Sequence, residues 1–161
     1  MTSRMTRRFF LASTAAVSVA RPALAQSQTV VEMLNKDPDN PRLRMVFSPR
    51  IVVVQPGDTV KFAATDPSHN SASIDGMLPE GAEAWNGKIN EEIVVPFPTP
   101  GFYGYKCTPH AATGMVGLVI VEGAGMMANL EAAQGVKQRG RAAKVWEEIW
   151  AEVAEMEFAT S

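Results

Sequence analysis

The chain is short of three residue types that usually carry chemistry. Its 161 residues include one cysteine, two histidines and two tyrosines. A single cysteine excludes an intramolecular disulfide. Long apolar runs are also missing. Past the N-terminal stretch, no segment reaches the roughly 20 apolar residues of a membrane-spanning helix. Nor is positive charge in excess: 15 basic residues stand against 17 acidic ones. That balance argues against a general nucleic-acid binder, which needs a basic footprint. There is no internal repeat and no low-complexity segment. The length suits one domain with a proper core.

The N-terminus reads "MTSRMTRRFFLASTAAVSVARPALAQSQ". Arg4, Arg7 and Arg8 precede a mostly apolar stretch from Phe9 to Ala20. Ala23-Leu24-Ala25 then forms an A-x-A cleavage signal, so residues 1–25 read as an export signal cut after Ala25. Thr6 to Leu11 resembles a twin-arginine export signal; an ordinary secretory signal with two adjacent arginines is the alternative. Either route implies a mature protein outside the cytoplasm, most simply in a bacterial periplasm. Cleavage removes four arginines and no acid, which leaves 11 basic residues against 17 acidic and a formal charge of −6. In an oxidising compartment, an unpaired cysteine points to an intermolecular bridge, a reactive thiol or a metal ligand.

Past the signal, "NKDPDNPRLR" reads as loop. Short Val/Ile/Phe/Tyr-rich runs follow: "RMVFS", "RIVVVQ", "TVKFAA", "EIVVPFP", "GFYGYKC" and "VGLVIVE". Turn clusters such as "QPGD", "DPSHN" and "TPG" separate them. Short strands with Gly/Pro turns predict an antiparallel sandwich or barrel over residues 26–123. The composition changes at Gly123. "ANLEAAQGV" reads as a short helix and "RGRAAKVWEEIWAEVAEMEF" as a longer one, making 124–161 a helical extension packed on the sandwich. Ala142, Trp146, Ile149, Trp150, Val153 and Met156 recur at helical spacing, with the glutamates largely on other faces.

The scarce residues converge on "YKCTPHAATGM". Cys107, His110 and Met115 lie within nine residues, between two predicted strands. Taken singly, each has an ordinary reading: a small buried hydrophobe, a satisfied polar residue, a core filler. Taken together they are soft and borderline donors in one turn. The other histidine, His69, lies in "DPSHNSAS" at another strand end, and loops at one end of a sandwich lie close together. Magnesium and calcium prefer oxygen; structural zinc rarely takes methionine. Two imidazoles and a thiolate with a weak axial methionine describe a blue-copper electron-transfer site. A Cys–His nucleophile pair would leave Met115 and His69 unexplained and shows no orienting partner.

The stretch from Ser68 through "CTPHAATGM" to Gly123, with Asn after the first histidine and "GAEAWNGKINE" in between, resembles the pseudoazurin family of small cupredoxins. The likeness runs from "VVEMLNKD" through the C-terminal helical segments. It implies an all-β Greek-key sandwich of about eight strands with two C-terminal α-helices. It implies one type 1 copper ion on His69, Cys107, His110 and Met115. Around those ligands, it implies that Asn70 pins the Thr108 region and offers its backbone N–H to the Cys107 sulfur, while Pro109 has no N–H to offer. Met45 matches a position that packs near the exposed histidine, although core filling explains it equally.

The resemblance further implies an electron carrier, not an enzyme. It implies a monomer, with the His110 edge emerging through Pro109, Ala111 and Ala112 among steering lysines Lys106, Lys36 and Lys88. Copper nitrite reductase or another denitrification enzyme is the implied acceptor, and a cytochrome c or a dehydrogenase the donor. A copper-delivery protein without redox traffic is the alternative. The chain departs from the family in having few lysines around the patch, with Asp39 and Pro67 nearby, and no aromatic after His110.

Overall fold

The computed structural model describes residues 26–158. The expected export signal, residues 1–25, lies outside them. Eight strands run in chain order: β1 Gln28–Lys36, β2 Arg44–Ser48, β3 Ile51–Val54, β4 Thr59–Ala63, β5 Ala72–Ser73, β6 Ile93–Pro96, β7 Gly101–Lys106 and β8 Val116–Val121. They form two four-stranded sheets, ordered β2-β1-β4-β6 and β3-β8-β7-β5. Helices α1 Leu130–Gly135 and α2 Arg141–Ala154 follow.

Both sheets are mixed, which corrects the expectation of purely antiparallel pairing. β1 runs parallel to β4, and β3 parallel to β8. The remaining strand pairs are antiparallel. Each parallel pair joins strands that are not sequence neighbours, so the chain crosses between the sheets and closes a Greek-key sandwich. The segment read as loop from Asn35 is also partly strand. Asn35 and Lys36 end β1, Arg44 opens β2, and Lys36 and Arg44 pair across the strands.

The strand period of two explains where the site sits. Along β7, Tyr103 and Tyr105 point between the sheets, where Tyr105 meets Phe47 and Phe62 edge to face at 4.8 and 4.9 Å. One step further, Cys107 keeps to the same face and is fully buried. Along β8, Val119 and Val121 share that interior, and Met115 continues their alternation just before the strand. The opposite faces of the two strands, through Phe102, Val116, Leu118 and Ile120, pack under the helices. From α2, Ala142, Trp146, Ile149 and Val153 are buried there, while Trp150 and, just past the helix end, Met156 are partly buried against the same cluster. No helix among the described residues is long and apolar enough to cross a membrane.

Candidate metal centre

The β7–β8 turn is shaped by its own backbone. Cys107 N–H donates to Met115 C=O at 3.0 Å, adding one rung beyond the last strand pair. His110 N–H donates to Cys107 C=O at 3.1 Å, and Met115 N–H to His110 C=O at 3.2 Å. The Thr113 hydroxyl also donates to His110 C=O, at 2.7 Å. Gly114 closes the turn in the left-handed region, φ 100°, where a side chain would add strain. The result is a compact loop with Cys107 and Met115 both directed into the sandwich end.

His69 approaches from the crossover that links the two sheets. It sits between β4 and β5, and its carbonyl accepts from Asn90 N–H at 2.8 Å. Its Nδ1 lies 3.1 Å from His110 Nδ1 and 3.6 Å from Cys107 Sγ, while His110 Nδ1 lies 3.5 Å from the same sulfur. These three atoms form a nearly equilateral triangle. Its centre is about 2 Å from each corner, which is the length of an imidazole–metal bond. Two residues 38 and 41 positions from His69 in the chain thus meet it at one point. Among the described residues, this trio is the one group of histidine, cysteine and acidic side chains placed to hold a metal ion. Met115 is fully buried in the same core cluster as Cys107.

Protonation follows from the surroundings. His69 Nε2 lies 3.1 Å from Asn35 Oδ1, an acceptor, so Nε2 carries the hydrogen and Nδ1 presents its lone pair. Burial pushes the His69 pKa down, as does the neighbouring His110, while Asp66 pulls the other way. The balance favours the neutral ring, the form that can serve as a metal ligand. Burial likewise pushes the Cys107 thiol up; backbone N–H groups of Asn70 and His110 oppose it by favouring the thiolate. A cation at the triangle's centre would displace that proton.

Asn70 ties the two segments together. Its Oδ1 accepts from Thr108 N–H at 2.7 Å, and its Nδ2 donates to Thr108 Oγ1 at 3.1 Å and to Gly87 C=O at 2.9 Å. Thr108 and Pro109 are exposed, as is Ala112; His110 and Ala111 are partly exposed. Lys36 and Lys88 are exposed and Lys106 is half-buried. Lys36 follows Asn35, which touches His69, and Lys88 follows Gly87, which receives Asn70. Met45 is partly buried against the inner core.

Sequence reasoning missed a chain of support behind His69. Asp66 Oδ2 accepts from Asn35 N–H at 2.7 Å, and Asp66 N–H donates to Met33 C=O at 3.0 Å. Asn35 is thereby fixed where its side chain reaches His69. The only hint was a polar residue closing an otherwise apolar run. The Gly87 carbonyl, a backbone group, leaves no signal in sequence.

The donor set is soft and borderline, with no carboxylate among the three atoms, and it fits copper better than a hard oxygen-seeking cation. Comparisons with known proteins agree. Residues 32–122 match the family model described as copper binding proteins of the plastocyanin/azurin family. A pseudoazurin of Methylorubrum extorquens is 39% identical over 149 residues, covering 91% of this chain and 97% of the relative. One from Paracoccus pantotrophus is 44% identical over 131 residues, covering 81% and 86%. A solved pseudoazurin structure from a Sinorhizobium is 48% identical, with a TM-score of 0.75, and covers 81% of this chain and 98% of that one.

Proposed function

The chain belongs to the plastocyanin/azurin family of copper-binding proteins, and from that premise we propose that it carries single electrons between redox proteins of the periplasm. In this reading His69, Cys107 and His110 would hold the metal, and Met115 would add a weak thioether donor. Bound copper supplies a one-electron couple, and the chain itself turns over no substrate.

The triangle of Nδ1, Nδ1 and Sγ carries the proposal. A carrier must exchange an electron with little rearrangement. Cys107 and Met115 sit at strand ends, joined by a backbone hydrogen bond. His69 is fully buried and held through Asn35. All three are fully buried. Asn70 and Thr108 keep the two segments in register, and Pro109 withholds an N–H that would draw charge off the sulfur. His110, partly exposed beside Pro109, Ala111 and Ala112, is the edge through which electrons enter and leave.

Lys106, Lys36 and Lys88 belong to that end of the molecule and steer an acidic partner toward it. Steering of this kind raises association rates by about 10–10³-fold and fades with salt. The acceptor we favour is a copper nitrite reductase, and the donor a cytochrome c or a dehydrogenase. That choice rests on family analogy. The protein acts as a monomer, delivered by the export signal at residues 1–25.

Two measurements test the reading. Copper-loaded protein has an intense visible thiolate-to-copper band, and Cys107→Ser loses it while keeping the fold by circular dichroism. Voltammetry gives a reversible one-electron wave without loss of metal. Release of copper on reduction would instead identify a delivery protein, and a Cys107→Ser variant that kept the band would defeat the ligand assignment.

A further inference from the structure

A cleft of about 380 Å³ lies between strand β2 and helix α2, against the back of the 107–115 turn. Leu43, Val46 and Val145 give it apolar walls, and Thr113 and Gly114 of the turn close one side. The contact between helix and turn is close. A Cβ placed on Gly114 would lie 3.0 Å from Val145 Cγ2 and 3.4 Å from Arg141 Cγ.

Three arginines line the cleft, in a chain whose overall balance is acidic. Arg50 is committed, with Nη1 and Nη2 each 3.2 Å from Glu148 and Glu152. Arg44 and Arg141 are not. Both are exposed, and among the described residues neither has an ion pair or a side-chain hydrogen bond. They come from different elements, β2 and α2. Two acidic side chains also belong to the lining, Asp37 and Glu148. Asp37 Oδ1 is occupied in closing its own loop, accepting from Asp39 and Asn40 N–H at 2.9 Å each.

We propose that this cleft binds a small, singly charged carboxylate with an apolar body. Guanidinium forks match a carboxylate in a planar, paired geometry. The apolar walls take the hydrocarbon portion, and the volume falls within the usual range for small-ligand sites. Asp37 and Glu148 in the lining, with Arg50 already taken by Glu148 and Glu152, disfavour a doubly charged oxyanion such as phosphate. The occupant lies against Thr113 and Gly114, the residues that lead into Met115, so its binding is felt in the turn that carries the metal site. The proposal does not depend on which redox partner the protein serves.

The test is a ¹H–¹⁵N titration of the copper(I)-loaded protein with hexanoate, using 1-hexanol and inorganic phosphate as matched probes. The visible band of the oxidised sample is recorded first, so loss of the copper reading is seen independently of the cleft. Hexanoate is expected to shift the Thr113 and Gly114 amides and the Arg44 and Arg141 Nε–H signals in a saturable way. It binds about tenfold or more tightly than hexanol, the margin expected of a charge-assisted hydrogen bond. The exposed substitutions Arg44→Gln and Arg141→Gln, made singly and together, each weaken hexanoate by about tenfold and leave hexanol and the visible band unchanged. Equal binding of hexanol, a flat hexanoate titration on blue protein, tighter binding of phosphate, or unchanged hexanoate affinity in the double variant would overturn the proposal.

Discussion

Replacing Asn70 by alanine separates the scaffold from the ligands. The side chain is buried and makes three hydrogen bonds of ordinary length, two to Thr108 and one to Gly87 C=O. Each such bond contributes about 0.5–1.5 kcal/mol net, and a buried group left without its partner costs about 1–3 kcal/mol. Thr108 and its hydroxyl lie near water and recover part of the loss, but the buried Gly87 carbonyl does not. Asn70→Ala should therefore destabilise the metal-free protein by about 2–4 kcal/mol, a large share of a typical domain's 5–15 kcal/mol. Urea denaturation of metal-free protein reads that number. Copper affinity should fall by about 10–100-fold, because Cys107 and His69 no longer share a fixed register. Asn70→Asp is the informative companion. It keeps the acceptor for Thr108 N–H, loses both donated bonds and sets a carboxylate oxygen against the Gly87 carbonyl. If Asn70→Ala unfolds within about 0.5 kcal/mol of the parent and binds copper equally well, the two segments are registered by something else, and the account given of the site is wrong.

Two further outcomes test the packing and the electrostatics. Gly117 faces Tyr105 across the β7–β8 pair, and an added Cβ would lie 2.4 Å from the Tyr105 ring and 2.6 Å from Arg50 C=O. Gly117→Ala should cost at least the roughly 1–3 kcal/mol typical of overpacking, read as a lowered denaturation midpoint; an unchanged midpoint would mean the core yields more than close packing allows. Asp58 accepts from Gln55 N–H at 2.9 Å and Ser27 N–H at 2.8 Å, and these bonds hold its carboxyl below the usual range. Its contribution is present above the unfolded carboxylate value of about 3.9 and fades as pH falls through the lower folded value. Melting temperatures followed from neutral pH down through that window should fall less steeply for Asp58→Asn than for the parent, and parallel curves would remove Asp58 from the account.

What the sequence disclosed depended on whether the physics was local. The length and the Val/Ile/Phe/Tyr content of "GFYGYKC" and "VGLVIVE" disclosed β7 and β8; which face takes Cys107 did not show, because both faces of these strands are buried. The apolar stripe read in this segment was equally plain: four of its six members are buried on α2, and Met156 falls just past the helix end. Strand β5 is two residues long, too short for any pattern, and exists because Ala72 and Ser73 pair with β7. Strand β1 was not among the runs read as strands, and its last two residues, Asn35 and Lys36, look like the start of a loop. Pairing with Arg44 on one side of the sheet holds them extended. The parallel pairings were likewise out of reach, since no local signal says which distant strand will lie alongside. At the centre, scarcity did the work. With one cysteine and two histidines, few assignments of soft donors were available, whereas carbonyls and asparagines were too common to single out Asn35 or Gly87.

The placement of the four donor side chains also explains why the chain needs so large a scaffold for so small a centre. An isolated loop from Cys107 to Met115 has three soft donors but nothing to stop them from exchanging geometry. The sandwich removes that freedom in stages. Strand alternation commits Cys107 and Met115 to the interior, where the core cluster surrounds both. The crossover between sheets then brings His69 to within 3.6 Å of the sulfur, and Asp66 through Asn35 sets which nitrogen it presents. Helix α2 closes the back of the turn, since a Cβ on Gly140 would stand 2.6 Å from Ala112 C=O and only glycine permits the approach. His110 is left partly exposed at the one open edge. Rigidity on three sides with access on the fourth is what an outer-surface electron exchange requires, and a site built to release its ion would need the opposite arrangement.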